Sequence, residues 1–404
     1  VDRLQGLLGL AVILGVAVAI SRHRGKIRWR VIGAGLALQI LTAVLVLVWE
    51  PGNRALAWTA DKIAEVIHFA DEGSRFVFGS LMGDEKTFIF ALHVLPVIIF
   101  LGAIIGALYY VRVIQWFIEI VGTALKAVLG TSKIESVWAS TVIVLGQSEA
   151  PLIIAPYLKK LTKSELFACM TGGFASVAGS TLVGYSLLGA PLPYLLAASV
   201  MNAPASLVMA KAIWPETEES TLDAKVRDVR DEESVNIIDA TAKGALSGGT
   251  LAVIIGCLLI AFVALISLLN AAVGGVGGWF GVENLSLDGI MGWMFAPVAW
   301  LIGVPWHDAP QVGNYLGQKL VLNEFVAYSS FGPEVDTLDP KSVLVTTFAL
   351  AGFANFASIA IQIGAIGGLE PERRHEIARY GLLALLAGSL ANLSNACIAG
   401  VLAG

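Results

Sequence analysis

The chain has 404 residues, of which 56% are hydrophobic and only 14% charged, with a formal net charge of −5 and a mean hydropathy of +0.77. A soluble domain carries about a quarter charged residues, so this composition excludes an ordinary water-soluble enzyme. The basic residues are dispersed and no RNA- or DNA-reading motif occurs, which excludes a nucleic-acid partner. Apolar runs of about 17 to 25 residues recur throughout, each able to cross roughly 30 Å of hydrocarbon. They predict an all-α polytopic membrane protein.

The first apolar run, Leu4 to Ile20, lacks a strong basic flank and a small-residue cleavage site and reads as a retained span rather than a signal peptide. The basic loop from Ser21 to Arg30 that follows belongs in the cytoplasm by the positive-inside rule, which places the N-terminus outside. A second run, Val31 to Val48, leads back out to an amphipathic stretch punctuated by Asp61, Glu65, Asp71, Glu72, Asp84 and Glu85, suited to the interface. Phe88 to Tyr109 returns inward. Arg112, Lys126 and Lys133 then mark a helix lying along the cytoplasmic surface.

From Lys133 to Leu161 the chain is apolar but carries Gln147, Ser148 and Glu149 in its middle, and both its ends are basic. Two ends on one side require a re-entrant hairpin whose tip reaches the bilayer midplane. Crossings are expected at Glu165 to Leu188, Leu192 to Ala212 and Gly244 to Leu268, with a solvated linker from Trp214 to Lys243 holding Arg227, Arg230 and Asp231-Glu232-Glu233. A glycine-rich turn at Gly274-Gly275-Val276-Gly277-Gly278 and an amphipathic stretch to Val304 follow outside. The next apolar segment begins after His307-Asp308, contains Asn323 and Glu324, and ends at Glu334, Asp336 and Asp339. Acidic flanks on both sides make it a second hairpin entering from the opposite face. A span from Ser342 to Ile366, the basic loop Arg373-Arg374-His375 and a last span from Ile377 to Val401 complete eight crossings and two hairpins, with the C-terminus outside.

Each hairpin precedes a crossing with a similar polar middle, Gly173-Phe174-Ala175-Ser176 in one and Gly352-Phe353-Ala354-Asn355 in the other. Three crossings lie between the hairpins. The repeats are therefore inverted, and inverted repeats with broken helices mark secondary transporters with a midplane site. The chain divides into scaffold helices over 1–110, a first repeat over 111–213, a linker over 214–243 and a second repeat over 244–404. A charge at the bilayer centre costs about 2.5 to 3.5 kcal/mol on insertion scales, so Glu149 and Glu324 call for protein partners or a polar cavity. No Lys or Arg is expected within the hairpin cores to pair with them structurally. Singly, Ser176, Ser358 and Asn355 read as well as interhelical glue, Pro151 and Pro310 as shaping residues, and Asn202 and Pro204 as a kink or a support.

Other chemistries find little support. Cys169, Cys257 and Cys397 lie in apolar runs, and His68, His93 and His307 are scattered, so neither a disulfide framework nor a metalloenzyme site is indicated. A membrane-embedded enzyme would need a nucleophile or cofactor cluster, and a passive channel would need a continuous polar stripe. Here the polar groups gather at one depth.

Five ordered motifs resemble those of the concentrative nucleoside transporters: Gly146-Gln147-Ser148-Glu149-Ala150-Pro151-Leu152, the stretch Gly173 to Ser180, Ser199 to Ser206, Asn323-Glu324-Phe325-Val326-Ala327-Tyr328, and Gly352-Phe353-Ala354-Asn355. The resemblance implies a homotrimer in the cytoplasmic (inner) membrane that moves a transport domain elevator-fashion and takes up nucleosides without a cofactor. It implies that Gln147, Ser148, Glu149 and Thr181 face the nucleobase, that Glu324, Asn355 and Ser358 hold ribose hydroxyls, and that Phe353 packs beside the sugar. It further implies sodium coupling through Leu145, Ser176 and Val177. Sodium-using members carry an Asn seven residues before the hairpin glutamate, where this chain has Val142, so a proton is the rival coupling ion. Membrane lipids are the other expected partners.

Overall fold

The computed structural model describes residues 2–82, 89–220, 234–281 and 285–403. The expected acidic positions Asp84 and Glu85, the start of the third run at Phe88, and Arg227, Arg230 and Asp231-Glu232-Glu233 of the linker lie outside the described residues. Every regular element among the described residues is helical.

Helix α1 (Asp2–Ala19) is followed by α2 (Trp29–Ala43), which runs on through a π turn to Val48. The amphipathic stretch folds as one long helix, α3 (Glu50–Phe78), whose outer face exposes Trp58, Phe69 and Phe76. Next come the short α4 (Phe90–His93), α5 (Leu95–Tyr110) and α6 (Val113–Leu129), the last two separated by Arg112 in the left-handed region at φ 65°.

The Lys133 to Leu161 segment is not one helix. It comprises α7 (Lys133–Val144), a turn over 145–149, and α8 (Ala150–Ile154) continuing as a 3-10 stretch to Lys160. The next unit begins with α9 (Lys163–Ala175), breaks over 176–178 and resumes as α10 (Gly179–Leu187). Matching capping boxes start α7 and α9, in which Ser132 and Thr162 accept from the backbone N–H of Glu135 and Glu165 while those carboxylates accept from the cap N–H. Helix α11 (Leu192–Ile213) is almost wholly buried and carries Pro204 in its interior.

Helix α12 (Ile237–Trp279) corrects two expectations. Its N-cap Asn236 shows that the end of the expected linker is already helical, and its length of 43 residues runs straight through Gly274 to Gly278. The glycines stay helical, and the helix runs well past the roughly 20 residues that a crossing needs. The chain leaves the helix instead at Gly281, with φ 70°. Helix α13 (Leu287–Leu301) follows, then α14 (Ala309–Val321), a two-residue break, and α15 (Glu324–Phe331). The span expected from Ser342 to Ile366 is also broken, into α16 (Pro340–Leu350) and α17 (Phe356–Leu369), and α18 (Arg374–Leu402) ends the fold.

Among the described residues six helical stretches are long and apolar enough to cross a membrane, which are the expected crossings other than those at Leu4 and Ser342. Those two correspond to α1 and to the broken α16 and α17, whose apolar pieces are shorter. Helices α5 and α12 pack through paired small-residue stripes. A Cβ on Gly102 would lie 2.5 Å from the carbonyl of Gly244, one on Gly106 2.5 Å from that of Ala240, and one on Gly248 2.7 Å from that of Ile98. Only glycine permits that approach, the usual route to close helix packing in lipid. Most of α12 remains exposed, whereas α9 and α11 form the buried centre.

Candidate functional site

The breaks in α7–α8, α9–α10, α14–α15 and α16–α17 meet. Gly146 abuts Ala178, since a Cβ there would lie 3.1 Å from the Ala178 Cβ, and the Phe353 backbone N–H donates to the Ser176 carbonyl at 3.1 Å. Each break frees backbone groups that water cannot reach in hydrocarbon. Here one such pair, the Phe353 N–H and the Ser176 carbonyl, is satisfied across two breaks.

Polar side chains finish the satisfaction. The Asn355 Oδ1 accepts from the Ser358 N–H at 2.8 Å and so caps α17, while its Nδ2 donates to Glu324 Oε2 at 2.7 Å. Tyr185 on α10 donates its hydroxyl to Glu324 Oε1 at 3.1 Å. Gln147 donates from Nε2 to the Ser358 Oγ at 2.9 Å, and Gln362 holds the other side of that amide, donating to Gln147 Oε1 at 3.1 Å and to the Met170 carbonyl at 3.0 Å. The orientation of the Gln147 amide is thus set from both ends. Asn323 caps α15 by accepting from the Val326 N–H at 3.0 Å.

One cavity collects every side chain that the sequence singled out for substrate. Gln147, Ser148, Glu149, Thr181, Glu324, Phe353, Asn355 and Ser358 all line it, with Leu251, Ile254, Ile255 and Leu258 of α12 forming an apolar wall opposite. Ser148 and Glu149 are exposed to it, while Glu324, Asn355 and Ser358 are buried. Glu149 also accepts from the Gly146 N–H at 3.3 Å. Thr181 donates to the Ala178 carbonyl at 2.8 Å.

Leu145, Ser176 and Val177 lie behind this cavity rather than on its surface, all three buried, with the Ser176 hydroxyl donating to the Gly173 carbonyl at 3.1 Å. Val142 is buried on the last turns of α7 and supplies no polar atom. Among the described residues no group of three or more His, Cys, Asp or Glu is placed to hold a metal ion.

The sequence reading missed a second polar layer beneath the site. Asn392 of α18 donates to the carbonyls of Ala175 and Ala351 and to the Asn202 Oδ1 at 2.8, 3.0 and 3.0 Å, and Asn202 donates to Ala351 at 2.7 Å. Asn395 adds a donor to the Asn202 Oδ1 at 2.8 Å. Asn202 is thus a support for the breaks and not merely a kink. The expectation that the hairpin cores hold no Lys or Arg also fails: Lys319 on α14 is buried, its ammonium bonded to the Ala349 carbonyl and the Asn392 Oδ1 at 2.8 and 2.9 Å. Lys319 itself stands in the sequence of that segment, while its partners come from other helices and no local pattern announced them.

The Gly-Phe-Ala match between the two units is real in sequence but falls at different places in the fold. Gly173 to Ala175 end α9, whereas Gly352 to Ala354 lie inside the break between α16 and α17. Separate contacts demand each glycine. A Cβ on Gly173 would meet Gln362 Nε2 at 2.6 Å, and one on Gly352 would meet Asn392 Oδ1 at 2.2 Å.

Known proteins agree with this layout along the entire chain. Three family models match in order: "Na+ dependent nucleoside transporter N-terminus" over residues 8–81, "nucleoside recognition" (the Gate model) over 91–192, and "Na+ dependent nucleoside transporter C-terminus" over 194–400. The transporter YutK of Bacillus subtilis is 49% identical over 399 residues, covering 98% of this chain and 99% of its own. The nucleoside permease NupC of Helicobacter pylori is 41% identical over 412 residues, with 99% and 98% covered. The solved structure of CNTnw in an inward-facing substrate-bound state superposes with a TM-score of 0.95 at 45% identity, covering 100% of this chain and 98% of that one. These relatives are transporters, not enzymes, and with several apolar helices the chain is a multi-pass membrane protein. It belongs to the concentrative nucleoside transporter family.

Proposed function

We propose that this protein takes up nucleosides across the cytoplasmic membrane, coupled to a cation, by alternating access. One observation carries the reading: the eight polar and aromatic side chains singled out for substrate converge on a single cavity at the junction of four helix breaks. The Glu324 carboxylate, oriented by Tyr185 and Asn355, is an acceptor suited to ribose hydroxyls. The Ser358 hydroxyl and Asn355 complete that end, and Phe353 packs against the sugar. Gln147, Ser148, Glu149 and Thr181 face the base.

In this reading α7–α8 and α14–α15 are the two opposed re-entrant hairpins of an eight-crossing inverted repeat. The smooth wall of α12 is the surface past which the hairpins and broken helices move as an elevator. The assembly is a homotrimer in lipid, with both termini outside. Counterflow in proteoliposomes tests the whole proposal: saturable exchange of unmodified nucleoside supports it, and a non-saturable leak or a chemically altered product rejects it in favour of a channel or an enzyme.

Sodium is the coupling ion that the family descriptions favour, with the Leu145 and Val177 carbonyls and the Ser176 hydroxyl as its ligands. Val142 favours the rival reading, a proton. A hard cation wants a full set of oxygens and the valine contributes none. Uptake driven separately by a sodium gradient and by a pH gradient distinguishes the two.

A further inference from the structure

Lys319 is a buried cation with no part in the uptake cycle proposed above. It is 5% exposed and lies on α14 three residues before Leu322, the residue that caps the helix C-terminus. Glu324 is close in sequence, but its carboxylate oxygens are engaged by Tyr185 and Asn355. The Lys319 ammonium turns instead to neutral oxygens, the Ala349 carbonyl in the last turn of α16 and the Asn392 side-chain oxygen. A positive centre held by a carbonyl at a helix break is the arrangement of a monovalent-cation site, with nitrogen in the place of the ion.

The two hairpins make the comparison specific. Leu145 caps α7 with its N–H on the Thr141 carbonyl, and Leu322 caps α14 with its N–H on the Gln318 carbonyl. In that register Val142 and Lys319 occupy the same position, and each hairpin tip precedes a broken helix. The last turn of any helix presents carbonyls without intrahelical partners and the negative end of the dipole, which a cation stabilises. At the first break the candidate donors are Leu145, Ser176 and Val177, and the position on α7 is apolar. At the second break the equivalent position carries its own charge.

We propose that Lys319 is a tethered cation, its ammonium filling in the second repeat the monovalent-cation site that the first repeat leaves open to a mobile ion. The second break is then neutralised in every state of the cycle without taking an ion from solution. Removing the tether exposes a latent site for a small monovalent cation. A cavity of about 60 Å³ borders Lys319, Ala349 and Ser389, with Phe295, Leu316 and Leu393 among its mostly apolar walls, so the oxygens left for an entering cation are those that now hold the ammonium. The correspondence between the two units rests on the ion site proposed for the first hairpin, but the readout below does not.

The test uses the purified full chain in nanodiscs and proteoliposomes, with Lys319→Ala and Lys319→Gln. Methylammonium, an N–H-bearing cation small enough to enter the space that Lys319→Ala vacates, should raise the melting temperature of Lys319→Ala saturably and restore part of its nucleoside uptake, leaving the unaltered protein unchanged. Tetramethylammonium, with the same charge but no N–H, should do neither. Lys319→Gln, which keeps a donor and the length but loses the charge, should lose uptake tenfold or more. Equal effects of the two amines on Lys319→Ala, or near-normal uptake by Lys319→Gln, overturn the proposal. If Lys319→Ala does not survive extraction, Lys319→Gln decides alone. Sodium dependence of nucleoside binding to the unaltered protein, measured in parallel, judges the first-hairpin site separately.

Discussion

The backbone N–H of Phe353 donates to the carbonyl of Ser176 at 3.1 Å, joining the break between α16 and α17 to the break between α9 and α10. Neither break can be opened alone without stranding a peptide group where water is scarce, at a cost of about 1 to 3 kcal/mol. Asn392 reinforces the junction by donating to carbonyls on both sides, Ala175 and Ala351. The groups proposed to hold ribose and base are therefore mounted on one rigid unit. In the proposed cycle, alternating access would carry that unit past α12 as a body rather than flex it.

Glu324→Gln is expected to reduce nucleoside uptake more than tenfold while the protein still melts near the unaltered temperature, because an amide of the same shape keeps the Tyr185 contact but offers one acceptor in place of a carboxylate. Asn355→Ser gives a companion result. Serine is also a good N-cap for α17, so the helix survives, but the donor to Glu324 at 2.7 Å is lost. Radiolabelled uptake combined with thermal melting separates the two effects, and near-normal uptake by either variant would remove the ribose assignment.

The sugar hydroxyls supply the second expectation. A 2′,3′-dideoxynucleoside leaves unpaired the Glu324 lone pairs that Tyr185 and Asn355 do not take, a loss of about 1 to 3 kcal/mol, which corresponds to a fall in affinity of roughly 5- to 150-fold. Titration of matched ribo- and dideoxynucleosides by calorimetry checks this. Equal affinities would mean that Glu324 faces another part of the ligand.

What the sequence disclosed and what it hid divide along a physical line. Gln147, Glu149, Glu324 and Asn355 were legible because polar residues within apolar runs are costly in lipid and stand out locally. The network below them was not, since Lys319 meets Asn392 from 73 positions away and Asn392 meets Ala175 from 217, contacts that only the assembled fold creates. Gly274 to Gly278 misled for the opposite reason. Glycine lowers helix propensity by only about 1 kcal/mol per residue, too little to end a helix that is already propagating on both sides.

Where the starts of α7 and α9 meet the end of α11, Lys211 forms an ion pair with Glu135, both nearly fully buried, and donates to Ser164 Oγ at 2.7 Å. Lys211→Met strands that carboxylate and is expected to destabilise the protein by about 3 to 5 kcal/mol. The exposed pair between Lys159 and Glu372, at 2.9 Å, provides the contrast, because solvent screens it and Lys159→Ala should leave the melting curve unchanged. Thermal melts of the two variants side by side test both statements.

The last expectation concerns Val142, which is buried three residues before the C-cap of α7. If sodium drives uptake here, it relies on the Leu145 and Val177 carbonyls and the Ser176 hydroxyl, leaving the coordination short of oxygens. Val142→Asn returns a side-chain oxygen at that position, and the buried amide costs about 1 to 3 kcal/mol of stability unless the ion or a neighbouring carbonyl pairs with it. Sodium-dependent nucleoside binding should then tighten by several-fold, while the Gln147 amide, held by Ser358 and Gln362, stays in place and base preference is unchanged. Binding isotherms across a sodium series, with choline as the replacement ion, measure it. Should the variant show no sodium response and the unaltered protein follow a proton gradient alone, the first hairpin holds no sodium site. Coupling would then pass through a carboxylate instead, with Glu149, exposed to the cavity at the hairpin tip, the first group to test.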